Sequence, residues 1–199
     1  MATSLADLDL AARTYVHGVN EPLPPGEQLL WEGAPQPAAL AKHLLFVRPL
    51  AVYFALMIAW WAVANRATVT SGAFWITLGM QAALTGAVIA GALALARWIA
   101  SSTTYAISDK RIVVRLGIIF PLTVNIPLHY IVSAKTRSFA DGTGEIALEL
   151  DPKERLAWIV LFPHVRLFRF SQPEPLLRGL KDPAHVGAVL TKAALERQA

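Results

Sequence analysis

The sequence predicts an α+β membrane protein, in which a two-helix apolar hairpin is followed by a β-rich domain and a terminal helix. Three observations predict it. No ionisable side chain occurs between Arg66 and Arg97. From Ser101 onward the apolar residues alternate, with period two, instead of recurring at helical spacing. The chain then closes on Asp182-Pro183 and an apolar stripe of Val186, Val189, Leu190 and Ala193.

The hairpin is the most constrained part. Only 16% of the 199 residues are charged, against 55% hydrophobic, whereas a soluble domain carries about 25% charge. A helix over residues 73–95 supplies the roughly 20 apolar residues that a ~30 Å hydrocarbon core requires, with Gln81 as its main polar side chain. Gly79 and Gly86 lie seven apart, hence on one face, where small residues permit close helix packing. The first span, about 44–64, includes Arg48 near its start, whose long side chain can reach the headgroups. Trp60, Trp61 and Trp75 mark one interface and Trp98 the other. Lys42 and Arg48 precede the hairpin, and Arg97, Lys110, Arg111 and Arg115 follow it, while the linker holds only Arg66. Both termini are therefore expected in the cytoplasm. Residues 1–43, read as an N-terminal cytoplasmic segment, lack the basic start and apolar core of a cleavable signal. The hairpin then occupies 44–100 and the soluble domain 101–199.

Within that domain, Thr103–Ile107 and Arg111–Leu116 read as a strand hairpin around Ser108-Asp109-Lys110. A strand over Ile118–Ile126, interrupted by Pro121, a turn over Pro127–Ile131 and a strand over Val132–Ser138 follow. Asp141-Gly142-Thr143-Gly144 is a turn signal, and Glu145–Leu150 alternates as a half-buried strand does. Two further strands fit within Leu156–Phe162 and Val165–Phe170. Asp182 is a suitable N-cap for the last helix, with Pro183 at its first position. About seven strands and one helix suggest a small barrel plugged at one end.

Two groups of residues resemble known families. Thr104-Tyr105-Ala106-Ile107-Ser108-Asp109-Lys110-Arg111-Ile112-Val113-Val114-Arg115-Leu116-Gly117, followed by Ile126-Pro127-Leu128, resembles the start of a membrane-anchored bacterial pleckstrin-homology domain of the YdbS-like type. Glu21-Pro22-Leu23-Pro24-Pro25-Gly26-Glu27, continuing to Trp31-Glu32-Gly33-Ala34-Pro35, resembles the N-terminal signature of the PuhB family of photosynthetic-complex assembly proteins. Leu161–Phe170, followed by Pro173-Glu174-Pro175-Leu176-Leu177-Arg178, resembles the same family. The resemblance implies a pleckstrin-homology-like barrel. It also implies a non-catalytic role in assembling the photosynthetic reaction centre and its light-harvesting ring, whose subunits would be the partners.

The residues themselves show no catalytic set. His17, His43, His129, His164 and His185 have no metal-ligand spacing, no cysteine is present, and Gly142 and Gly144 read as a hairpin turn rather than a phosphate loop. No enzyme activity, cofactor, metal or nucleic-acid partner is expected, whereas membrane lipids and self-association are. Arg166, Arg169 and Arg178, with His164 and the strand-breaking Pro163, Pro173 and Pro175, form the expected partner-binding segment. The bland reading of those arginines is a solvated strand face. Ala39 and His43 have the spacing that resembles chlorophyll-ligating helices, but the adjacent Lys42 makes an interfacial polar residue the default reading of His43.

Overall fold

The structure is a computed structural model that describes residues 23–117, 122–151, 164–165 and 174–196. Strand β1 (Leu29–Gly33) leads into a short helix, α1 (Pro37–His43), and then into the two long helices α2 (Val47–Ala64) and α3 (Gly72–Ser101). Strands β2 (Thr104–Ser108), β3 (Arg111–Leu116) and β4 (Leu122–Pro127) follow. Next come β5 (Ile131–Ser138), β6 (Gly144–Leu150), β7 (Leu176–Leu180) and the helix α4 (Pro183–Glu196).

Both long helices are apolar enough to cross a membrane, and none of their apolar windows is buried inside the protein. Such surface is unstable in water and marks a membrane-associated protein. The 30 residues of α3 reach about 45 Å at 1.5 Å per residue, longer than the ~30 Å of hydrocarbon. Its last turns have a different use: Ala96, Ile99 and Ala100 are buried against Leu40 and Ala41 of α1. The helix thus runs past the expected end at residue 95 because its final two turns dock on the soluble domain. At the other end, the α2–α3 turn is built by Ser71 Oγ, which accepts from Phe74 N–H at 3.3 Å, and by Trp61 stacked on Phe74 at 5.3 Å. Trp60 and Trp75 are exposed beside this turn and Trp98 near the opposite end, an aromatic belt at each.

The soluble domain is two antiparallel sheets, β1-β2-β3-β4 and β5-β6-β7. Alternation along the strands sends Tyr105, Ile107, Ile112, Val114, Leu116, Val124 and Ile126 of the first sheet into one core. Ile146, Leu148, Leu177 and Leu180 of the second sheet, and Val186, Leu190 and Ala193 of α4, complete it. The sheets do not close into the expected barrel: among the described residues β4 and β5 are not paired. Pro127, which has no N–H, ends β4, and the 3₁₀ turn Leu128–Tyr130 carries the chain into the second sheet. The helix α4 starts as expected, with Asp182 Oδ1 accepting from His185 N–H at 3.0 Å.

The domain boundary also differs from expectation. β1 pairs with β2, placing Trp31 opposite Ile107 and Gly33 opposite Tyr105. The segment before the hairpin is therefore the first strand of the domain, and the hairpin is an insertion between neighbouring strands. Glu27 pins it there. Its buried Oε1 accepts from Ser108 Oγ at 2.6 Å and from Arg111 Nε at 2.9 Å, while Gln28 N–H donates to Asp109 Oδ1 at 2.9 Å. The expected strands over Leu156–Phe162 and Val165–Phe170 fall outside the described residues except for Val165, which forms an isolated bridge with Pro175.

Candidate functional site

The hairpin joins the domain through side chains drawn from distant parts of the chain. Asp141, in the β5–β6 turn, accepts from Lys42 Nζ at 2.6 Å and contacts His43 Nε2 at 3.1 Å through its Oδ2, while its Oδ1 accepts from Thr143 N–H and Oγ–H. Gly142 supplies the positive φ of 78° that closes this turn. The bond from Lys42, then those from Thr143 and His43, hold the Asp141 carboxyl well below the usual carboxylate range. His43 also stacks on Phe139 at 3.8 Å, and the Arg137 guanidinium lies 5.3 Å from that ring. His43 is thus occupied by the domain. From the far side, Gln36 N–H donates to Gly179 O at 2.8 Å. Gly179 has φ +66°, and a Cβ there would lie 3.1 Å from Gln36 N, so glycine is required on both counts.

Beside this joint opens a cleft of about 430 Å³, lined by Lys42, Arg48, Asp141 and Thr143 on its polar side and by Val47 and Leu93 where α2 and α3 enter their apolar stretches. Arg48 is exposed and pairs with none of the described residues.

Behind the joint lies a buried polar network. His164, 1% exposed, has Nδ1 2.6 Å from Tyr105 Oη and Nε2 3.2 Å from Thr103 Oγ1. Arg178 N–H donates to the same phenol at 3.1 Å, and Arg178 Nη2 to Val165 O at 3.0 Å. A neutral imidazole protonated on Nε2 satisfies every one of these bonds, since Tyr105 can then donate to Nδ1 and Thr103 can accept. Burial, reinforced by the Arg178 charge, pushes the His164 pKa down to about 3. Burial likewise pushes the Tyr105 phenol up and the Arg178 guanidinium down.

These positions correct part of the expected binding segment. Arg178 is only 9% exposed and His164 is enclosed, so neither contributes to a solvated basic surface; both hold the fold. Pro175 is also structural: its carbonyl accepts from Leu148 N–H at 2.9 Å, and Leu176 N–H donates to His164 O at 2.9 Å. The two described ends flanking residues 166–173 are thus tied side by side. Pro163, Arg166, Arg169 and Pro173 lie outside the described residues. Gly79 and Gly86 are exposed on α3, and a Cβ at either would meet nothing within 4 Å. They make no close contact with α2, contrary to packing within the hairpin; among the described residues that face is uncovered. Among the described residues no group of His, Asp and Glu is arranged to hold a metal.

Residues 37–182 match the family model described as Bacterial PH domain. The chain belongs to the bacterial PH domain family. The matched stretch begins at α1 and includes both apolar helices, so the inserted hairpin is contained in the match to this bacterial PH domain. The chain is also 30% identical over 183 residues to a 23.7 kDa protein of Rhodobacter capsulatus encoded in the puhA 5′ region, a match covering 89% of this chain and 84% of that one. No solved structure matches it.

Asp141, Gly179 and Glu27 were invisible as site residues in the sequence. The partners of Asp141 that tie it to the hairpin, Lys42 and His43, are 99 and 98 positions away, and an isolated turn aspartate carries no sign of them.

Proposed function

We propose that this bacterial PH domain protein is a non-catalytic assembly factor for the photosynthetic reaction centre and its light-harvesting ring, held in the inner, intracytoplasmic membrane. The observation that carries the reading is the relative encoded in the puhA 5′ region, beside a photosynthetic gene. The architecture supports it. The outer ends of the hairpin lead into β1 and β2, adjacent strands of one sheet, so a hairpin that crosses the bilayer twice returns to the same side. The excess of cations at those ends makes that side the cytoplasm. A partner then meets the protein twice, at the exposed glycine face of α3 in lipid and at the domain in the cytoplasm, and two weak contacts in one chain give avidity. Arg166 and Arg169, with Pro163 and Pro173, are the segment proposed to meet the partner outside the membrane.

Affinity purification of the tagged full chain from a phototroph tests the role. Reaction-centre or light-harvesting subunits are expected among the co-purifying proteins, and their absence counts against it. A reporter fused after Ala199 is expected to be active only in its cytoplasmic form; periplasmic activity contradicts the topology. The family match by itself fits a second reading, a membrane-tethered PH module serving lipid or envelope-stress functions. That reading predicts the same topology with no photosynthetic subunit recovered.

A further inference from the structure

The cleft beside the joint has the composition of a lipid site. Its polar wall carries two cations, Lys42 and Arg48, against one carboxylate, Asp141. Asp141 is already engaged by Lys42, His43 and Thr143, which leaves the charge of Arg48 uncompensated. Arg48 stands in the first turn of α2, the level at which an apolar helix enters the bilayer. The apolar lining comes from Val47 of α2 and Leu93 of α3, with Ala38, Ala39 and Ala41 of α1; Leu93 is 44% exposed. A ligand that fits must carry an anion on its cytoplasmic end and hydrocarbon on its membrane end. An arginine fork matches phosphate oxygens in pairs, and the unused N–H groups of Lys42 Nζ can add a further bond. Soluble anions would leave the apolar wall uncovered.

We propose that this cleft binds the headgroup of an anionic phospholipid of the cytoplasmic leaflet, with Arg48 as its main phosphate contact and Lys42 as the second. The bound lipid fills the angle between the membrane helices and the PH domain and braces one against the other. The proposal rests on the two helices crossing the bilayer and is independent of the assembly role.

The test uses the full chain reconstituted into vesicles of mixed phosphatidylcholine and phosphatidylglycerol, then extracted in mild detergent, with retained lipids weighed by native mass spectrometry. Failure to incorporate into vesicles would overturn the membrane reading itself, and with it the lipid site. For incorporated protein, retained phosphatidylglycerol is expected to exceed its share of the vesicle. Arg48→Gln should lower that excess about fivefold, the scale of one interfacial cation. Arg97→Gln, which removes a cation of α3 that does not line the cleft, should leave it unchanged. Lys42 is a poorer probe because its loss also frees Asp141. Retention that merely mirrors the vesicle composition overturns the site, as does an equal loss in both variants, which would mean diffuse attraction. Equal thermal stabilisation by inorganic phosphate in detergent without phosphatidylglycerol would overturn the lipid assignment.

Discussion

Histidine 164 shows how a single residue ties the fold to pH. The folded protein holds its imidazole neutral, with a pKa pushed down to about 3 by burial and the nearby Arg178 charge, whereas an unfolded chain protonates it near 6.5. Below that value the unfolded state takes up a proton that the folded state refuses, so stability falls as pH drops from about 6.5 toward about 3. Between pH 7 and 5 the loss is on the order of 2 kcal/mol, a window well above the titration of Asp141, whose contribution is lost only below the ordinary carboxylate range. His164→Gln is expected to be less stable at pH 7 but to lose much less on acidification. Thermal unfolding of the detergent-purified protein at the two pH values checks this, and an unchanged pH slope in the variant would refute it. The sequence marked His164 as noteworthy yet assigned it to a surface, because a histidine between Pro163 and Val165 looks alike whether exposed or enclosed. Only Tyr105 and Thr103, some 60 residues earlier, decide the matter. Arg178 was misplaced for the same reason: a charge reads as solvated until its carbonyl and aromatic partners are brought in from elsewhere.

Among the elements, the strands with strong alternation were legible and those without it were not. Arg111–Leu116 is observed with the bounds expected, and Glu145–Leu150 gains only Gly144. β1 escaped because Leu29-Leu30-Trp31-Glu32-Gly33 is short and unalternating, and its partner strand lies beyond the whole hairpin. β7 escaped because all five of its residues are buried, so no polar face marks its period. The hairpin was legible from its uncharged length, but the face on which it packs was not. α2 and α3 meet through larger side chains such as Trp61 and Phe74, while Gly79 and Gly86 look outward. Replacing both glycines by leucine is therefore expected not to lower the thermal stability of the isolated protein, since each change gains about 0.5–1 kcal/mol of helix propensity. It should reduce self-association or recovery of partner subunits. A clear loss of stability would place the glycines in an internal contact after all; unchanged assembly size and recovery would leave this face without a role.

For the molecule as a whole, the insertion makes hairpin and domain one mechanical unit. β1 and β2 flank the insertion in one sheet, α1 packs on the end of α3, and Lys42, His43 and Gln36 bind the β5–β6 turn and β7. A bacterial PH domain held in this way has its orientation set relative to the apolar hairpin, and the proposed assembly role would use that fixed geometry to meet a partner at both parts. The most direct measurement is the amount of assembled reaction centre, read from membrane absorption, in a strain from which the gene is deleted. The assembly role predicts less complex, with unaltered absorption bands in whatever does assemble, and restoration by the intact gene. Normal complex levels in the deletion strain would contradict it.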